Sequence, residues 1–221
     1  MKKLLLSVCG LIAAFNATAQ TPQFVSTEPS DRNVIIEEFT GVNCGYCPYG
    51  HRIVREYEEA NPGRVFGINI HQGGYAAMYT TQWGNAIANQ TGLNGYPSGT
   101  VNRHRFGGTA TALGRDRFVN AGNQIKAMSS FVNVAAQATI DAVTRTLTVN
   151  VEAYYTADAE TGMNLINVAL LQDSIIGIQA GASYNPSQVT SDGKYIHMHM
   201  LRHLLTGQWG DTVSVEEGVI P

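Results

Sequence analysis

Two cysteines, Cys44 and Cys47, stand three residues apart in the segment Cys44-Gly45-Tyr46-Cys47. A CxxC at the start of a helix has a definite chemical logic. Unpaired backbone N–H groups and the helix dipole stabilise a thiolate on the first cysteine, which attacks a disulfide. The second cysteine, one turn on, resolves the mixed disulfide that results. The third cysteine of the chain, Cys9, lies in an N-terminal leader, so the remaining pair can close only a four-residue loop. Such a loop is worth about 2 kcal/mol as a staple, which argues for reactivity over stapling. Two other readings stay open: an inert bridge, and a zinc site in which His51 adds a third ligand to the two thiolates. No second CxxC or paired histidine sits at finger spacing.

Other residues near the pair have types suited to this chemistry. Glu38 precedes Cys44 by six positions and shares a strand face with Val34 and Ile36, while Glu37 shares the opposite face with Ile35 and Phe39. A central strand would bury at least one of these carboxylates, raise its pKa and allow it to relay a proton to or from Cys47. An edge strand would leave Glu38 solvated. His51, four residues after Cys47, falls on the cysteine side of a helix and is either a proton donor to a thiolate or a packing histidine. Tyr46, inside the tetrad, and Tyr96 are candidate substrate-binding aromatics. Further along, His197, His199 and His203 fall on one face of an expected strand with Met198 and Met200 on the other. That is either a copper-attracting set or a strand with one polar face.

The elements that position the pair are legible. Val34 to Phe39 is a short β-branched strand, and Thr40-Gly41-Val42-Asn43 a turn. A helix is expected from about Cys47 to Ala60, with Pro48 in its first turn, Ile53, Val54 and Tyr57 as its buried stripe, and Asn61-Pro62-Gly63 as its stop. Arg64 to Ile70 is a second strand, which makes a βαβ unit. A helix over 76–91, a loop over 91–97, a strand over 99–103 and a closing helix over 114–128 follow. After Met128 the period changes. Leu147, Val149, Val151, Ala153 and Tyr155 alternate with polar residues, and 131–140, 164–172, 195–204 and 212–215 are further strands. This predicts an α/β thioredoxin-like domain over 34–128 and an antiparallel, immunoglobulin-like β-sandwich over 129–221. With five strands the sandwich is thin, so it reads as incomplete or the chain as a fragment.

Lys2 and Lys3, the apolar run Leu4 to Phe15 and Ala17-Thr18-Ala19 have the order of a secretory signal over 1–19, followed by an extended leader over 20–33. Lipidation at Cys9 fits poorly after Val8. The apolar run is shorter than the roughly 20 residues of a membrane span, and the mature chain is expected to hold no transmembrane helix. The formal charge of −3 becomes −5 once Lys2 and Lys3 leave, which argues against nucleic acid as a partner. Asp173-Ser174-Ile175 and Asp211-Thr212-Val213 resemble a short O-glycosylation acceptor.

The segment EEFTGVNCGYC resembles the active-site segment of the thioredoxin superfamily, and CGYC is a tetrad seen among exported disulfide isomerases. By that resemblance Glu38 takes the place of the buried acid, and Gly95-Tyr96-Pro97 that of the loop with a cis-proline. Asn43 stands where thioredoxins carry Trp, Tyr96 where they usually carry Thr, and the reductase tetrad CGPC is absent. The longer strings VIIEEFTGVNCGYCPYGHR, YPSGTVNR and HMHMLRHLLTGQWGD resemble the twenty-eight-kilodalton outer-membrane-protein-related family of Bacteroidetes. That resemblance implies a thioredoxin-like domain before a β-sandwich, and a periplasmic or outer-membrane location. The function expected is a thiol–disulfide oxidoreductase or isomerase with Cys44, Cys47, Glu38 and Pro97 as catalytic residues. Its partners would be exported client proteins and a redox partner protein, with no cofactor or metal beyond the Cys44–Cys47 couple. The alternative is a non-enzymatic envelope protein with a static bridge.

Overall fold

The computed structural model describes residues 24–159 and 163–213. The signal, the first leader residues and the last expected strand residues lie outside them. Strand β1 (Val34–Thr40), helix α1 (Cys47–Glu59) and strand β2 (Val65–His71) form the expected unit, with β1 and β2 parallel from Val34 opposite Val65 to Thr40 opposite His71. Pro48 sits in the first turn of α1, and Gly63 (φ +72°) lies in the Asn61-Pro62-Gly63 turn after it. Val54 and Tyr57 on α1 pack on Val34, Ile36 and Val65, together with Phe118 and Ile125 of helix α3.

The segment between β2 and α3 is mostly irregular. Helix α2 is only Gly84–Asn89, against the expected 76–91. Ala77 and Tyr79 have positive φ (54° and 64°), which stops a helix, and Met78, Trp83 and Ile87 are not at a clean helical spacing. Strand β3 (Ser98–Val101) runs antiparallel to β1, β4 (Leu113–Gly114) pairs with β3, and α3 spans Phe118–Lys126. On the other side of β1, Phe39 and Ile70 pack with Trp83, Ile87 and Ala88. β1 is therefore covered on both faces, and its alternating residues feed two cores.

The second half differs from expectation. Strands β5 (Val132–Asp141) and β6 (Thr146–Tyr155) form a hairpin in full register. Strands β7 (Asn164–Ile166), β8 (Ala169–Gln172), β9 (Ile175–Gly177), β10 (Tyr195–His197), β11 (Met200–Leu204) and β12 (Asp211–Val213) follow. Among the described residues they do not build a sandwich of two packed sheets. β11 pairs with the outer edge of β2, parallel, and β8 pairs antiparallel with β11. The order of the resulting six-stranded sheet is β4-β3-β1-β2-β11-β8, while β9–β10, β7–β12 and β5–β6 remain two-stranded. The alternation after Met128 reports strands correctly but not their neighbours, and the open edge of β2 is an available neighbour. Overall the fold is mixed α/β, with more sheet than helix.

The hairpin presents an apolar face carrying Val134 and Ile140, both well exposed. Its base is tied to the leader: Glu152 Oε2 accepts from the N–H groups of Phe24 and Val25, and Asn133 Nδ2 donates to Ser26 O and Glu28 O.

Candidate active site

The chain leaves β1 at Thr40, turns through Gly41-Val42-Asn43 and enters α1 at Cys47. Gly41 admits no side chain, because a Cβ would collide with the carbonyl of Tyr75. Cys44 and Cys47 are joined by a disulfide. Cys47 is fully buried and Cys44 is only 4 % exposed.

Beneath the first turns of α1 lies Glu38, completely buried, with neither oxygen hydrogen-bonded to a described residue. Burial raises its pKa well above the ordinary carboxylate value, opposed in part by the charge of Arg115. Gly50 explains how the carboxyl fits. A Cβ there would collide with Glu38 Oε1 and would stand 3.2 Å from the Cβ of Pro97. Glu38, the helix carrying the cysteines and Pro97 therefore meet at one point. The Tyr96–Pro97 bond is cis. Tyr96 Oη accepts from Gln72 Nε2 (2.5 Å), and Tyr96 lines an open groove of about 710 Å³ that Cys44 and Tyr46 also line.

Glu37, one residue away on the other face, is in different company. It accepts from Arg103 at 2.6 and 2.8 Å and from Thr100 Oγ1 at 2.9 Å.

His51 is buried, with both ring nitrogens occupied: Nε2 pairs with Thr40 Oγ1 (2.8 Å) and Nδ1 with Tyr195 Oη (2.9 Å). Tyr195 Oη also receives from Asn185 Nδ2 and pairs with Gln188 Oε1. Burial holds His51 well below the usual histidine pKa, and His71 and His197 lower it further. Burial likewise lowers His71 to about 3 and also lowers His197. Both nitrogens of His71 and Nδ1 of His197 have no hydrogen-bond partner among the described residues.

The expected shared face of His197, His199 and His203 does not form. The strand over 195–204 breaks at His199, whose φ is +51°. His197 is buried beside His71, His199 is held between Glu58 and Asp173 (both 3.3 Å), and His203 packs against Trp83. Ser174, central to one O-glycosylation match, has φ +59° beside this clasp, and Asp211-Thr212-Val213 is β12.

One part of the site was invisible in the sequence. The strand-to-strand connection over 178–185 crosses the CGYC loop as a strap. Ala180 N–H donates to Val42 O (2.7 Å), and Gln179 Nε2 donates to Gly41 O (3.2 Å) and Cys44 O (3.1 Å). Gly181, at φ +68°, lies so close to Gly45 that a Cβ would collide with its carbonyl. Tyr184 packs on Tyr46, which is 56 % exposed, and on Tyr49. The left-handed glycine was the one signal available, and it does not name what it approaches.

Among solved structures, HBP35 of Porphyromonas gingivalis is similar over 85 % of this chain and 61 % of that one, with a TM-score of 0.64 at 22 % identity. This chain thus spans about three fifths of that protein's chain. Protein AGR_C_4864 from Agrobacterium tumefaciens is similar over 82 % of this chain and 75 % of that one, with a TM-score of 0.50 at 14 % identity. No curated protein matches. The model of the family described as outer membrane protein Omp28 matches residues 84–220, a span that holds the cis-proline and the strap but starts after the cysteines. The chain belongs to the Omp28 family of outer membrane proteins, and with it to the exported proteins of the bacterial envelope.

Proposed function

We propose that this protein is a thiol–disulfide oxidoreductase or isomerase of the envelope, built on a thioredoxin-like scaffold. The observation that carries the reading is convergence. A disulfide at the start of α1, a buried unpaired carboxyl and a cis-proline come together at one end of the sheet. Unpaired buried acids are expensive and collect at functional sites.

In the reducing direction, the Cys44 thiolate attacks a client disulfide. One client sulfur leaves as thiolate and the other stays bonded to Cys44. Cys47 then gives up its proton and attacks the Cys44 sulfur, releasing the second client thiolate and closing Cys44–Cys47. Glu38 is the acid assigned to take the Cys47 proton. A redox partner protein restores the dithiol. Oxidation of clients runs the same steps backwards. In isomerisation the released client thiolate attacks elsewhere in the client.

Trapping is the test. Cys47→Ser should accumulate mixed disulfides between Cys44 and envelope proteins, and Cys44→Ser should accumulate none. Equal trapping by both variants, or by neither, would contradict the assignment. A second reading, a binding scaffold with a static bridge, has one observation in its favour: Cys44 is nearly covered, with the strap laid over its loop.

A further inference from the structure

The turn that leaves β3 is strained. Asn102 and Arg103, consecutive and neither of them glycine, both take the left-handed conformation (φ +50° and +48°). Such residues are uncommon and collect at binding and catalytic sites. The turn holds because Asn102 is tied down: Ile35 N–H donates to Asn102 Oδ1, and Asn102 Nδ2 donates to Asn33 O, both at 2.9 Å. Its result is placement. Arg103 turns back to Glu37 and also donates to Gln208 O (3.5 Å), while His104 and Arg105 line a recess of about 730 Å³ beyond the end of β3.

The apolar part of that lining is Leu165 and Trp209, the latter 45 % exposed. Trp209 stands in a loop between Gly207 (φ +70°) and Gly210 (φ +85°), and a Cβ on Gly210 would collide with Ile166 O. The loop is thus pinned to β7 by that close approach and to the turn after β3 by Arg103. A pinned loop that holds an indole in water beside a recess is the arrangement of a binding surface. The charge in the recess is positive. Arg103 is balanced by Glu37, whereas Arg105 forms no ion pair or hydrogen bond with a described residue. The lining holds no Asp or Glu, and Asp211, two residues past Trp209, lies outside it. The side chains of Gln90 and Thr111, also in the lining, have no hydrogen-bond partner among the described residues.

We propose that this recess binds an acidic saccharide, with a sugar ring against Trp209, a carboxylate on Arg105 and hydroxyls on Gln90, Thr111 and His104. A sugar ring has an aliphatic C–H face and a hydroxyl edge, which match an indole beside uncharged polar groups. A guanidinium takes a carboxylate through two parallel hydrogen bonds. An aromatic or fatty acid would cover Trp209 and Leu165 but leave Gln90 and Thr111 unpaired. An inorganic anion would leave the indole in water. No residue lining the recess lines the groove beside Cys44, so the site stands whether or not the disulfide is catalytic.

The test is calorimetry on the full chain with four probes. Trigalacturonic acid carries sugar and carboxylate together. Its trimethyl ester keeps the sugar without the charge, tricarballylate keeps three carboxylates without the sugar, and 2-naphthoate is an aromatic carboxylate. Trigalacturonic acid should saturate the protein at sub-millimolar concentration and bind at least about tenfold tighter than the other three. Its affinity should fall as salt rises. Trp209→Ala and Arg105→Gln, with circular dichroism confirming the fold, should each weaken it at least about fivefold. Arg105→Gln should also bring the acid down to the level of the ester. Equal binding of the ester, equal or tighter binding of tricarballylate or naphthoate, no saturation at millimolar concentration, or full affinity in either variant would overturn the proposal.

Discussion

The ionisable groups behind the disulfide and those at the rim of the sheet are treated in opposite ways. At the rim each has a charge partner: Glu37 has Arg103, and His199 lies between Glu58 and Asp173. Behind the disulfide, Glu38, His51, His71 and His197 form no ion pair among the described residues, and burial pushes each toward its neutral form. Glu37 and Glu38 are neighbours in sequence, so residue type and burial do not separate them. The difference is what the opposite face supplies: Arg103 and Thr100 for one, the bare Cα of Gly50 for the other. A fold optimised only for stability would pair or remove the inner groups.

Acid should separate the two regions most strongly. The inner histidines have folded pKa values below the unfolded value of about 6.5, so the unfolded chain binds more protons at lower pH. Stability therefore falls as pH drops below about 6.5, by up to about 1.4 kcal/mol per pH unit for each histidine that stays neutral. For His71 that loss continues down to about pH 3. Urea titrations from pH 7 to pH 4 should show the decline, and His71→Phe should make it shallower. A slope that His71→Phe leaves unchanged would mean that His71 is solvated.

Next in size is the loss of a rim partner. Arg103→Ala strands a buried Glu37 and should cost about 3 kcal/mol, read from the urea midpoint. Glu38→Gln acts the other way. Because burial raises the Glu38 pKa, its neutral form is favoured, and the cost of ionising it grows as pH rises above about 4.5 toward the folded pKa. The substitution should leave stability unchanged near pH 4 and raise it near pH 8. It should also slow release of the mixed disulfide if Glu38 takes the Cys47 proton. A loss of stability at pH 8 would mean that Glu38 is paired in solution.

The smallest effect belongs to the His199 clasp. Its partners, Glu58 first, raise the His199 pKa. Its contribution is fully present below about pH 6.5 and is lost as pH rises through the folded value, opposite in sign to the inner histidines. With the ring about a third exposed, screening keeps it small. His199→Ala should flatten the stability profile between pH 6 and 8, and high salt should mimic it.

What the sequence disclosed follows the range of the interactions. The β1–α1–β2 unit was legible because strand period, Pro48 and Asn61-Pro62-Gly63 are local signals. Burial of Glu38 stayed open in the sequence between a central and an edge strand, because the βαβ pattern gives β1 only one neighbour; β3, on the other side of β1, decides it. The cis bond at Pro97 was reached only through resemblance. The strap and the histidine network were out of reach, since Gln179 meets Cys44 across 135 positions and Tyr195 meets His51 across 144. The sandwich expectation failed for the same reason: alternation names a buried face, not the edge a strand pairs with. The extra strand β11 returns to β2 and β8 adds to β11, so a truncation at residue 128 removes two strands of the main sheet along with Tyr195.

An oxidoreductase of this design requires that the Cys44–Cys47 couple cycle between disulfide and dithiol. Equilibrating the protein against glutathione or dithiothreitol buffers, and following Cys44 alkylation by peptide mapping, gives its midpoint potential directly. A cycling couple should have a midpoint in the catalytic range, between about −270 and −120 mV, with Cys44 reacting before Cys47 once the pair is reduced. A midpoint below about −300 mV, with neither cysteine reacting unless the protein is unfolded, would make the bridge structural and contradict it.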